Sequence, residues 1–94
     1  KRLELARALA TRPRLLLLDE IGAGLTPAGG VALRQLLAGL RDQGLTILGV
    51  EHALYALADI ADRLVVMEKG RVIAEGPPDV VLGDPRVMDA YMGE

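Results

Sequence analysis

This sequence predicts an α/β fold built on a parallel sheet, and three observations carry the prediction. Leu15-Leu16-Leu17-Leu18 is an unbroken apolar run that ends on Asp19-Glu20. Thr46-Ile47-Leu48-Gly49-Val50 is a second short apolar run, and it ends on Glu51-His52. Between them lies a stretch of helical periodicity, so strand and helix alternate as they do in α/β folds. An apolar run without alternation is the pattern of a strand covered on both faces, which places Leu15–Asp19 at the centre of a parallel sheet.

Each element follows from its residues. Leu3, Ala6, Leu9 and Ala10 recur at helical spacing, which predicts a helix from about Arg2 to Thr11, ended by Arg12-Pro13. Gly22 and Gly24 mark a loop after the first strand. Thr26-Pro27 is a helix start, because threonine can cap and proline is tolerated in the first turn. Val31, Leu33, Leu36, Leu37 and Leu40 give that helix one apolar face, and Gly44 is its C-cap candidate. Leu54, Leu57, Ala58 and Ala61 predict a further helix. Leu64 to Met67 and Arg71 to Glu75, joined by a turn at Glu68-Lys69-Gly70, predict a terminal hairpin. Gly76-Pro77-Pro78 breaks the chain, and two short helices follow near Asp79 to Leu82 and Pro85 to Met92.

Composition narrows the function. The chain has 94 residues, 51% hydrophobic and 26% charged, which argues against disorder and allows one domain at most. A net charge of −2 gives no electrostatic argument for nucleic acid or anionic lipid as a partner. There is no cysteine, so disulfides, zinc–thiolate sites and thiol catalysis are excluded. No run reaches the roughly 18 apolar residues that span a bilayer. Lys1-Arg2 is followed by Glu4 and Arg7 rather than by an apolar core, so no signal peptide is read and a cytoplasmic location is expected. Residue 1 is not Met and falls inside a predicted helix, so the chain is read as a fragment.

A right-handed crossover places both strands in one sheet with their carboxyl ends on one edge. Parallel sheets bind ligands at that edge. Asp19, Glu20 and His52 are therefore expected to converge there. An aspartate at a strand end suits Mg²⁺ held through water. A neighbouring glutamate can polarise an attacking water. A histidine from the next strand end can hydrogen-bond a phosphoryl oxygen. Together these are half of a phosphoryl-transfer site. The same residues have plainer readings as well: Asp19-Glu20 as a solvated strand exit, His52 as a cap or surface residue, and Gly22 and Gly24 as simple turn glycines.

The order of these pieces resembles the carboxyl-terminal part of an ABC transporter ATPase, a P-loop NTPase fold, over the whole chain. Lys1-Arg2-Leu3-Glu4-Leu5-Ala6-Arg7-Ala8-Leu9 is similar to the helix after the family's signature loop. Leu15 to Glu20 resembles the Walker B strand with its glutamate, Ala23-Gly24-Leu25-Thr26 the D-loop, and His52 the switch histidine of the H-loop. Met67 to Val72 and Glu75-Gly76-Pro77 resemble the closing hairpin and the turn after it. Ala23 to Pro27, Val50-Glu51-His52 and the ending Val87 to Glu94 resemble the ATP-binding subunits of branched-chain amino acid importers. Ile21 stands where the family usually has proline, and Thr26 where many members have the D-loop aspartate.

The resemblance implies roles and partners. Residues 1–94 would form part of a nucleotide-binding domain whose Walker A half is absent, since no G-x-x-x-x-G-K-[ST] loop occurs. Asp19 would orient Mg²⁺ through water, Glu20 would be the general base, and His52 would contact the γ-phosphate of ATP. Ala23, Gly24, Leu25 and Thr26 would line the interface with a second ATPase subunit, homo- or heterodimeric. Transmembrane permease subunits and a periplasmic or extracellular solute-binding protein would complete an importer, with this subunit peripheral on the cytoplasmic face of the membrane. The fragment alone is expected to be inactive, and its uncovered apolar surface is expected to favour aggregation.

Three other readings compete. One is an ABC importer ATPase for another solute. A soluble ABC ATPase of DNA repair or translation would need a coiled-coil insertion or a second cassette, and these residues hold neither. A signalling receiver domain would need a lysine at a later strand end, whereas Lys69 falls in a hairpin turn.

Overall fold

The computed structural model describes residues 2–20, 22, 25–53 and 56–91. Among them the element order is α1 (Arg2–Ala10), β1 (Leu15–Asp19), α2 (Pro27–Asp42), β2 (Thr46–Val50), β3 (Leu64–Glu68), β4 (Arg71–Gly76), α3 (Pro78–Leu82) and α4 (Pro85–Tyr91). The chain forms two compact units that divide between Ala56 and Leu57.

In the first unit β1 and β2 pair in parallel, with Leu15 opposite Thr46 and Asp19 opposite Val50. The ladder runs one bond further at each end. Thr46 N–H donates to the Arg14 carbonyl at 3.3 Å, and Glu20 N–H donates to the Val50 carbonyl at 2.8 Å. This is the β–α–β unit that the alternation predicts. Its buried apolar side chains are Leu5 of α1, Leu16 and Leu18 of β1, and Leu37 of α2. Burying a leucine contributes about 1.5–3 kcal/mol.

The expectation that β1 is covered on both faces is corrected here. Leu15 and Leu17 are 52% and 66% exposed, and Leu48 and Val50 of β2 are exposed on the same face. The physical reason is that the sheet has two strands among the described residues and one of its faces is covered. The apolar run predicts a covering layer that these residues do not supply.

Helix α2 starts and stops where its sequence signals stand. Thr26 is the N-cap, and its Oγ1 accepts the Gly29 N–H at 3.0 Å. At the other end Gly44 takes φ 101, its N–H donates to Arg41 O at 2.9 Å, and Leu45 N–H donates to Leu40 O at 3.2 Å. That pair of bonds is a Schellman cap, which needs a left-handed residue at Gly44. A Cβ at Gly44 would meet nothing within 4 Å, so its cost is backbone strain alone. Gly44→Ala is therefore expected to destabilise the full-length protein by about 1–2 kcal/mol, read as a lower urea midpoint with unchanged m-value.

The predicted helix over Leu54, Leu57, Ala58 and Ala61 is also corrected. Leu54 lies outside the described residues, and residues 56–60 form turns rather than a regular helix. Both Ile60 and Ala61 N–H groups donate to the Leu57 carbonyl. A segment this short with few large apolar anchors does not meet the cost of helix nucleation.

The second unit is the predicted hairpin with two short helices packed on it. Lys69 and Gly70, at φ 50 and φ 78, form a two-residue turn that matches the twist of β3 and β4. Val66 pairs with Ala74 and Met67 with Val72, so Ile73 is an extra residue that bulges β4. Val66, Ala74, Val81 and Val87 are buried, one from each of its four elements. The Tyr91 hydroxyl donates to the Met67 carbonyl and ties the end of α4 to the hairpin. Arg63 pairs with Glu75. Asp84 begins α4 by accepting the Arg86 N–H at 2.9 Å and its guanidinium at 2.8 Å. Those hydrogen bonds hold the Asp84 carboxyl below its ordinary range. Its contribution to stability is complete above the ordinary aspartate range and is lost as pH falls through the lowered value.

Candidate active site

The carboxyl-terminal edge of the parallel pair gathers the polar ends of both strands. β1 delivers Asp19 and then Glu20, and β2 delivers Glu51 and His52. The parallel register with Asp19 opposite Val50 puts the two exits side by side. His52 Nε2 lies 2.6 Å from Glu20 Oε1, so an imidazole N–H donates directly to the carboxylate. The His52 side chain is 88% exposed and that of Glu20 43%, so water reaches both groups. A water-activating carboxylate needs that access.

Glu20 sits at this edge in an unusual conformation. Its N–H continues the ladder to Val50, and its φ is 53, in the left-handed region. A non-glycine residue there carries about 1–2 kcal/mol of strain, and such strain persists where surrounding bonds hold it. The turn lifts the side chain off the strand and toward the loop after β2, where His52 meets it.

Asp19 is exposed and lies on the same sheet face as Leu17, opposite Val50. Among the described residues no hydrogen bond or ion pair joins it to Glu20 or His52. The structure thus brings Glu20 and His52 into contact and leaves Asp19 beside them at the strand end. Of the four residues that the resemblance would place at a subunit interface, Ala23 and Gly24 lie outside the described residues, as does Ile21. Leu25 is half-buried, and Thr26 is occupied as the cap of α2.

In the sequence Glu51 is half of a polar pair with no evident task. Its Oε1 accepts the Gly22 N–H at 3.1 Å. The signal was present, since Glu51-His52 ends its strand as Asp19-Glu20 ends the other.

The donor set limits which metal could bind. Among the described residues no group of three or more His, Cys, Asp or Glu side chains is placed to hold an ion. The carboxylates of Asp19 and Glu20 at this edge are hard oxygen donors that fit Mg²⁺, which keeps several waters and takes one or two carboxylates plus substrate phosphates. An open depression of about 730 Å³ lies at the other end of the strands, lined by Leu9, Arg12, Arg14, Leu15, Leu40 and Thr46. It contains no carboxylate or imidazole and is separate from this edge.

Comparison with known proteins decides the family. BraF of Pseudomonas aeruginosa, a high-affinity branched-chain amino acid transport ATP-binding protein, is 42% identical over 95 positions, covering all of this chain and 37% of that protein. The solved structure of MJ1267 in its ADP conformation, an ATP-binding cassette of an ABC transporter, superposes with a TM-score of 0.86 at 37% identity, over 97% of this chain and 37% of that one. The chain belongs to the ABC ATPase family. Its fold is accordingly part of a P-loop NTPase domain. A family model described as branched-chain amino acid ATP-binding cassette transporter matches residues 71–94. LptB of Escherichia coli, a lipopolysaccharide export system ATP-binding protein, is 36% identical over the whole chain and 39% of its own length. This ABC ATPase chain therefore spans under two-fifths of the length of these relatives. No helix among the described residues is long and apolar enough to cross a membrane.

Proposed function

We propose that the full-length protein is the ATP-binding and ATP-hydrolysing subunit of an ABC importer for branched-chain amino acids. The 2.6 Å contact between Glu20 and His52 at the sheet edge carries the reading. It joins a carboxylate able to take a proton from water to an imidazole able to mark where a phosphoryl group sits. Similarity to BraF and the family match over residues 71–94 support the solute class.

In this reading residues 1–94 are the part of the nucleotide-binding domain that runs from the signature helix through Walker B, D-loop and H-loop to the closing hairpin and helices. The loop that cradles the phosphates is supplied by the full-length protein. Asp19 is the residue that would hold Mg²⁺, which when bound would supply neutralisation of phosphate charge. Glu20 accepts the proton of the attacking water. His52 donates to a γ-phosphate oxygen. Ala23, Gly24, Leu25 and Thr26 face a second ATPase subunit. Permease subunits and a solute-binding protein complete the assembly, with no nucleic acid involved. The protein then lies at the cytoplasmic face of the membrane.

The test is ATP hydrolysis by the full-length protein reconstituted with the permease subunits encoded beside it. Turnover should require Mg²⁺ and rise severalfold with leucine-loaded binding protein. Mg²⁺-dependent turnover that ignores branched-chain amino acids would favour the second reading, an ABC transporter ATPase for another solute, which the similarity to LptB supports. Absence of turnover in the assembled complex would overturn both.

A further inference from the structure

Glu51 has no part in the chemistry proposed above, yet it bridges the two segments that carry it. Its Oε1 accepts the Gly22 N–H at 3.1 Å. Its chain neighbour His52 reaches Glu20 at 2.6 Å. Both contacts join residues 20–22 after β1 to residues 51–52 after β2. A Cβ built on Gly22 would stand 3.4 Å from Glu51 Oε1, so the carboxylate lies against the bare backbone there.

The placement matters because Glu20 is strained. Its left-handed φ of 53 persists only if the bonds on both sides hold it. On one side its own N–H is held by Val50 O at 2.8 Å. On the other, two residues on, Gly22 N–H is held by Glu51. Among the described residues, no other hydrogen bond ties the segment after Glu20 to the end of β2 beyond those of Glu20 itself.

We propose that Glu51 is a positioning residue, whose carboxylate pins the turn after Glu20 so that the Glu20 carboxylate stays against His52 and over the attacking water. This rests on the catalytic reading of Glu20. The bond needs an acceptor of the right reach and does not need a charge. Glutamine keeps both the length and an acceptor oxygen. Aspartate keeps the charge and loses one methylene of reach.

The experiment compares Glu51→Ala, Glu51→Asp and Glu51→Gln in the full-length protein, with Glu20→Gln as a control. In Glu51→Ala and Glu51→Asp, kcat for ATP should fall about 10–10²-fold, with KM and thermal midpoint unchanged. In Glu51→Gln, kcat should stay within about twofold of the parent, because the amide oxygen still accepts. A second readout needs no turnover. The Gly22 amide resonance should shift, and its hydrogen exchange should speed up severalfold, in the Ala and Asp variants but not in the Gln variant. An unchanged Gly22 amide in Glu51→Ala overturns the proposal, as does a Glu51→Asp that works while Glu51→Gln fails. If Glu20→Gln itself hydrolyses ATP normally, the catalytic reading falls, and the amide measurement still decides whether the latch exists.

Discussion

Glu20→Gln in the full-length protein is expected to lower steady-state ATP turnover by about 10²–10⁴-fold and to leave nucleotide binding within severalfold of the parent. The substitution is nearly isosteric. The backbone bond from residue 20 to Val50 O does not involve the side chain and is retained. The amide oxygen can still accept from His52 Nε2, which lies 2.6 Å from the carboxylate oxygen it replaces. What the amide cannot do is take a proton from water. The loss therefore isolates general-base function from packing, conformation and metal binding. Turnover and the dissociation constant of a fluorescent ATP analogue, measured on the same preparation, separate the two effects. Near-normal hydrolysis in that variant would sink the role given to Glu20.

His52→Ala carries the second large effect. Removing one donor aimed at developing charge typically costs about 10²–10³ in kcat. The side chain is 88% exposed, so the substitution removes little packing. The stability change should stay within about 0.5 kcal/mol. A fall in turnover without a fall in melting temperature is thus the expected pattern. Because His52 and Glu20 touch, their effects should not multiply. The double variant is expected to be no worse than about the more damaged single variant, since groups that act as a unit are non-additive. A double variant whose loss equals the product of the singles would mean that the two side chains work independently.

Much of this geometry could be read from short stretches of chain. The α2 cap at Thr26 and its stop at Gly44 followed from one residue each, because a capping oxygen and a left-handed glycine act within a few positions of themselves. The hairpin turn at Lys69-Gly70 followed in the same way. The segment around Leu57 was misread because alanines at helical spacing carry a weak signal, and packing decides whether a short helix survives. The exposed side of β1 was misread for a related reason. Four leucines state that two faces want cover, and they cannot state which residues provide it.

By itself the sequence determined the two apolar strands, the crossover between them and the presence of acids and a histidine at their ends. Strand periodicity, caps and turns are local, and local chemistry is written in adjacent residues. Only the tertiary structure decided that Glu20 turns left-handed, that His52 closes on it, and that Glu51 holds Gly22 from 29 positions away. Those contacts depend on the register in which β1 meets β2. Register is settled by pairing along the whole ladder and by burial of Leu16 and Leu18, which no single motif encodes.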